Sequence, residues 1–296
     1  MRDDYVWCYS AEGFHKVYYR QWGESNGNNV IVCCHGVMRN LHDFDYIGKT
    51  LADQGYCAVC PDVVGRGESD HFRDAKNYSY YQYILDITAI VAKVGAKTVD
   101  WLGTSMGGLM GMMIASQPNT IIRRLIMNDI GPIVLLAALK RIQAYAGKEA
   151  YFNNFDEACQ AMRKNYAPFG IKNDEHWMHI FKHTVKQLQD GRWTIKADSR
   201  CMTQGLDPSH QESDALPDID EDGNIIFWKY WEKISCPVLL THGANSDLVT
   251  AEVVKTMKQY PIQLESYSFQ DVGHAPALME PDQISIITAW LKKTTL

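Results

Sequence analysis

The chain has 296 residues, 46% of them hydrophobic and 22% charged, and carries a formal net charge of -6 at pH 7. That length can bury a sizeable core, while the acidic balance argues against a nucleic-acid partner or an anionic-membrane surface. No stretch is apolar for long enough to span a bilayer, and "MRDDYVWCYS" has acids where a signal peptide needs a basic and then an apolar run, so a cytoplasmic protein is expected.

In chain order, residues 6–9 and 14–22 read as an antiparallel hairpin edge. Short apolar runs then alternate with amphipathic segments, the rhythm of parallel strands joined by helices. Strands are expected at "VIVCC" (30–34), "YCAVC" (56–60), "TVDWLG" (98–103) and "RLIMND" (124–129), and helices at 43–54, 80–94 and 105–117. After Pro132 the rhythm changes. Residues 133–231 read as a mainly helical, aromatic-rich insertion that becomes acidic and turn-like. It holds Trp177, Trp193, Trp228 and Trp231, which suit either a pocket cover or the insertion's own small core. Strands return at "PVLLTHG" (237–243) and "LESYSF" (264–269), and a last helix spans 282–293. The expected division is an α/β core of residues 1–132 and 232–296 with residues 133–231 as a lid.

The chemistry centres on Gly103-Thr104-Ser105-Met106-Gly107, the G-x-S-x-G pattern in which a strand turns sharply into a helix and exposes a serine. A serine hydroxyl is a weak nucleophile until a base takes its proton, so Ser105 requires a histidine, itself oriented by a carboxylate. His274, in "FQDVGHAPALMEP", follows the last strand. Asp247, in "THGANSDLV", follows the strand before it and is the expected acid; Asp129, in "MNDIGP", is the alternative. Backbone N–H groups of Val37, after His35-Gly36, and of Met106 are placed to bind a negative oxygen, an interaction worth about 3 kcal/mol per donor.

These pieces resemble the α/β-hydrolase-fold superfamily, within it the group of lidded serine esterases, haloperoxidase-like proteins and carbon-carbon hydrolases. The matching residues are His35-Gly36, "PDVVGRGESD" with Asp62, Gly65, Gly67 and Ser69, "GTSMGG", "NDIGP", Asp247 and "GHAPALMEP". The resemblance implies an α/β fold with a mostly parallel eight-stranded sheet flanked by helices. It also implies a Ser105-His274-Asp247 triad, an acyl-enzyme and no metal or organic cofactor. The expected function is hydrolysis of a small, largely apolar carboxylic ester by a monomer or homodimer. A carbon-carbon hydrolase of diketones, although Thr104 replaces the Asn common before their nucleophile, and a non-catalytic ligand receptor are the alternatives.

Other features have plainer readings. His35 and His242 precede glycine at strand ends, where packing or backbone bonding is expected; His42 and His71 are the remaining competitors of His274. Arg39 and Asn40 are candidates for the pocket wall, with a salt bridge and a helix cap as the plainer reading. "HWMHIFKH" sets His176, His179 and His183 on one helical face, a spacing able to present metal ligands, but no coupled carboxylate is evident in sequence and no metal is expected. "DIDEDG" (218–223) imitates a calcium loop, yet Lys229 occupies the place of the bidentate glutamate, so a turn at Asp222-Gly223 is expected. Cys57 and Cys60 form a lone C-x-x-C that reads as buried strand.

Overall fold

A computed structural model describes residues 1–204 and 217–294 of the chain. Strands β1 (Arg2–Ser10) and β2 (Gly13–Trp22) make the hairpin edge, paired from Arg2 with Gln21 to Ser10 with Gly13. Strands β3 (Val30–Cys34), β4 (Cys57–Pro61), β5 (Val99–Thr104), β6 (Ile122–Asn128), β7 (Val238–Gly243) and β8 (Leu264–Phe269) complete an eight-stranded sheet. The order is β1-β2-β4-β3-β5-β6-β7-β8, antiparallel only where β2 meets β1 and β4. This is the α/β-hydrolase fold expected from the sequence.

Strands β3 and β4 are apolar along their whole length because both faces of the sheet are covered there. Along β3, Val30, Val32 and Cys34 face one hydrophobic cluster while Ile31 and Cys33 face another. Helices α2 (Tyr80–Lys93) and α3 (Met106–Ala115) pack on the first face through Tyr83, Ile87, Leu109 and Met110. Helix α1 (Asp45–Asp53) and the final helix Pro281–Lys293 cover the second through Ile47, Leu51, Ile287 and Leu291. The alternation also settles the C-x-x-C pair: three residues apart on β4, Cys57 and Cys60 point to opposite faces, and all eight cysteines are free.

Between β6 and β7 the chain leaves the sheet. Helices α4 (Leu136–Ala146), α5 (Phe155–Asn165) and α6 (Asp174–Thr184) are joined by two antiparallel three-stranded ribbons with strands of two or three residues. Strands so short carry no readable period, which is why a mainly helical segment was expected there. Residues 205–216 of the acidic stretch lie outside the described residues. Of the four tryptophans, Trp177 is buried with Met162, Tyr166 and Phe181, Trp193 packs on Phe155, Trp228 stacks on Tyr260 and Trp231 sits in the main core. Among the described residues none of the four lines the cavities beside Ser105 described below; Trp177 and Trp193 pack within the insertion, whereas Trp228 and Trp231 pack against the main core. The turn at Asp222-Gly223 is present: Asp220 accepts from the N–H groups of Asp222 and Asn224, and Lys229 pairs with Asp218 at 3.1 Å. No helix among the described residues is long and apolar enough to cross a membrane.

Arg124 of β6 ties the sheet to the last helix. Its Nε and Nη2 donate to the carboxylate of buried Asp100 at 2.9 and 2.7 Å, and Nη1 donates to the carbonyls of Leu291 and Thr294. Asp100→Ala leaves this guanidinium buried without its carboxylate, and urea denaturation should show a loss of about 3–5 kcal/mol.

Candidate active site

Ser105 stands between β5 and α3 with φ 52° and ψ -117°, a strained conformation for a residue with a side chain. The elbow holds it there. A Cβ on Gly103 would strike the backbone of Gly107, and a Cβ on Gly107 would strike the carbonyl of Cys34, so only glycine lets the helix close on the strand. The N–H of Ser105 donates to Asn128 O at 3.0 Å, and its own carbonyl begins the helix by accepting from Gly108 and Leu109.

His274 reaches Ser105 from the loop after β8. Its Nε2 lies 3.1 Å from Ser105 Oγ, and its Nδ1 lies 2.7 Å from Asp129 Oδ2. Asp129 is fully buried, and its second oxygen accepts from Gly243 N at 2.7 Å, while Oδ2 also accepts from Ser246 Oγ at 2.6 Å. The carboxylate is thus fixed by three donors besides its own chain. A buried carboxylate so completely hydrogen-bonded stays in place.

Here the expectation of Asp247 is corrected. Its carboxylate is half-exposed and makes a bidentate ion pair with Arg141 at 2.6 and 2.8 Å. Burial alone raises its pKa, but the Arg141 hydrogen bonds and charge outweigh that and hold it below the ordinary value. The reason is positional. β6 lies directly beside β5, so the residue after β6 emerges next to the elbow, whereas Asp247 lies four residues past the end of β7. Adjacent residues of that loop face opposite ways: Ser246 turns in to Asp129 and Asp247 turns out.

The turn carrying Val37 is held from behind. His35 is buried; its Nδ1 bonds Gly36 O at 2.7 Å and its Nε2 accepts from Val63 N at 3.0 Å. Burial pushes its pKa down to about 4, so it is a neutral strut. Arg66 is wholly buried, donates from Nε to Val37 O at 2.8 Å and from Nη1 to Val64 O at 2.8 Å, and lies over the Tyr83 ring. Among the described residues no carboxylate pairs with it. Asp62 pins the same loop by accepting from the N–H groups of Leu41 and Glu68, and burial lifts its pKa to about 6. Arg66, Asn128 and Ser246 were not singled out from sequence; only the "GRG" context of Arg66 carried a signal.

Two cavities meet at Ser105 and Val37. One is almost wholly apolar, lined by Leu109, Ile130, Val134, Leu139 and Met202 beside Met106. The other runs past His274 to Arg39, Tyr145, Tyr166 and Phe169. Arg39 does reach this wall, but its fork is occupied by Asp43 and its third nitrogen by Thr184 Oγ1. Asn40 caps the turn that follows, accepting from His42 N, and donates to His183 O. The plainer reading of both residues matches this geometry.

A strand-turn-helix serine, a histidine from the last loop and a sheet of this order define a hydrolase-type fold and site. Residues 29–281 match the family model for the α/β-hydrolase fold, and the chain belongs to that family. It is 36% identical over 285 residues to the 3-hydroxybutyrate-oligomer hydrolase of Cupriavidus necator, covering 95% of this chain and 94% of that one. Among solved structures it is similar to a candidate hydrolase from Rickettsia typhi, with TM-score 0.88 and 31% identity over the whole of both chains. It is also similar to an α/β hydrolase from Novosphingobium aromaticivorans, with TM-score 0.81 and 26% identity over 99% of this chain and 98% of that one.

Because the unfolded chain protonates a histidine near 6.5 and folded His35 does so only near 4, its neutrality favours the folded state at neutral pH, and that advantage is lost as pH falls from 6.5 towards 4. At pH 5 the loss relative to pH 7 is about 2 kcal/mol. Urea midpoints of wild type and His35→Gln at the two pH values should show the wild type losing this much more than the variant.

Proposed function

We propose that the protein is a serine hydrolase of short-chain carboxylic esters. Ser105 attacks the ester carbonyl while His274 takes its proton at Nε2. Asp129, bonded to Nδ1, keeps the imidazole in the tautomer that presents a lone pair to Ser105 and stabilises the imidazolium that follows. The N–H groups of Val37 and Met106 bind the oxyanion of the tetrahedral intermediate. His274 then returns the proton to the leaving alcohol, and a water activated by the same nitrogen releases the acid from the acyl-enzyme. The observation that carries this reading is the unbroken hydrogen-bonded line from Ser105 through His274 to Asp129.

The two cavities and the similarity to the Cupriavidus necator relative support the substrate class. The apolar arm suits a short aliphatic group, and the arm lined by Arg39, Tyr145, Tyr166 and His274 has the more polar wall for a second group. Burial raises the Tyr145 pKa to about 12, so its hydroxyl remains a donor. An ester between short hydroxy acids, such as an oligomer of 3-hydroxybutyrate, has both characters along one chain. The segment between β6 and β7 closes over these arms as a lid, with α4 supplying Leu139 and Ile142 to the walls.

Kinetics on a 4-nitrophenyl butyrate substrate separate the two acids. Asp129→Asn should lower kcat by about 10³–10⁴-fold, the cost of stabilising the wrong tautomer, while Asp247→Asn should lower it less than about tenfold. The reverse ranking contradicts the assignment. Leu139→Trp fills the apolar arm and should reduce kcat/KM for the butyryl ester by at least about tenfold more than for the acetyl ester, the weight of two methylenes lost from a pocket. Base-titrated hydrolysis of 3-hydroxybutyrate dimers and trimers, compared with unsubstituted butyrate esters, tests the hydroxy-acid preference.

A further inference from the structure

The face of α6 that carries His179 and His183 is not turned to solvent alone. It packs against the turn that follows the oxyanion loop, and there the structure supplies the partners that the sequence of α6 lacks. His42 lies in the single 3-10 turn Leu41–Phe44, and Asp45 is the first residue of α1. Two pairs, each spaced one helical turn apart, therefore face each other: His42 and Asp45 from the sheet-bearing part of the chain, His179 and His183 from the segment between β6 and β7. The His42 and His183 rings stack with centroids 3.6 Å apart, and those of His179 and His183 are 4.6 Å apart. His42 Nδ1 is 2.7 Å and His179 Nε2 is 3.5 Å from Asp45 Oδ2.

We propose that His42, Asp45, His179 and His183 form a zinc site that staples α6 to the turn behind the oxyanion loop. One ligand atom from each of the four lies within 4.8 Å of every other. Bonds of 2.0–2.1 Å around a tetrahedral ion set ligand atoms about 3.3 Å apart, so closure needs the rings to turn and draw in by about 1.5 Å at most. All four residues are only partly buried, which leaves room for that rotation and a path for the ion. Three imidazoles and a carboxylate suit zinc better than calcium or magnesium, which require oxygen ligands. The nearest cation is Arg20, whose Nη1 donates to Asp45 Oδ1 at 2.8 Å and lies 3.2 Å from His42 Nδ1. Its charge is matched by Asp3, bonded to its other two nitrogens at 2.7 and 2.8 Å, so Arg20, Asp3 and Asp45 together leave one negative charge at the site. Lys196, a further cation that acts on His183, is paired with Glu68 at 2.8 Å; His42 O lies 3.0 Å from His179 Nε2, and the ring of Tyr46 lies beside His179. A bound ion would fix α6 relative to Asn40, which already donates to the carbonyl of His183.

The second candidate cluster, Cys8, His15 and Asp86, is wholly buried and holds a hydrogen-bonded ion-pair geometry of its own, with His15 Nε2 3.0 Å from Asp86 and the Cys8 thiol donating to Asp86 O. It gives the experiment an internal control, because a thiolate ligand has a distinct optical signature. Full-length protein without a polyhistidine tag, stripped with chelator, is titrated with zinc chloride by calorimetry and with cobalt chloride by absorbance. The expected result is one equivalent bound, a tetrahedral cobalt spectrum without a thiolate charge-transfer band, and a Tm that rises with zinc. His179→Ala and His183→Ala should each weaken zinc affinity at least 10-fold and abolish the Tm rise; His183→Gln, which keeps ring-sized bulk and polarity, guards against a folding defect. Absence of zinc binding, unchanged affinity in both alanine variants, or a thiolate band overturns the proposal. None of these variants touches Ser105, His274 or Asp129, so the result stands apart from the ester-hydrolase reading.

Discussion

Everything around the candidate active site depends on one contact, the 2.7 Å hydrogen bond between His274 Nδ1 and buried Asp129. It joins two loops 145 residues apart and fixes which nitrogen of the imidazole faces Ser105. The carboxylate can make that bond only because the sheet places it there. β6 lies between β5 and β7, Asp129 N is tied to Thr241 O across the β6–β7 pair, and Gly243 N and Ser246 Oγ use the lone pairs that His274 leaves. Asn128 extends the same clamp, bonding Thr104 at the elbow, Thr241 on β7 and the Pro276 carbonyl just beyond His274. The elbow, the end of β7 and the loop carrying His274 are therefore tied to one another through Asn128.

A second constraint acts from the other side of Ser105. The turn carrying Val37 is held by neutral His35, by Asp62 and by Arg66, whose guanidinium is buried without a carboxylate partner among the described residues. An unpaired buried cation is costly, and here its Nε bonds the carbonyl of the residue whose N–H is assigned to the oxyanion. In the proposed reaction, positive charge in this low-dielectric surrounding would favour negative charge on the reacting oxygen. The cost to the fold and the benefit to the reaction would then have the same origin.

Much of this was legible in the sequence because it depends on local rules. The G-x-S-x-G pattern located the elbow, since close approach of strand and helix admits only glycine at Gly103 and Gly107. The doubly buried strands announced themselves as continuous apolar runs, and His274 was marked by its place after the final strand. The acid was misjudged because Asp129 and Asp247 both follow parallel strands, and chain order does not reveal which strand lies beside β5. That is a property of the sheet order. The histidines of α6 were similarly half-visible: their spacing was plain, but the carboxylate and third imidazole facing them come from a turn about 140 residues earlier in the chain. The tryptophans could not be assigned from sequence, because bulk and apolarity suit a core and a cavity wall equally.

The central claim, that Ser105 is a nucleophile activated by His274, is tested most directly by intact-protein mass spectrometry after exposure to a fluorophosphonate, with the modified peptide sequenced. The account predicts a single adduct on Ser105 of the wild type that is absent in Ser105→Ala and strongly slowed in His274→Ala, alongside turnover of short esters. An unlabelled wild type, or an adduct on another residue, would contradict it.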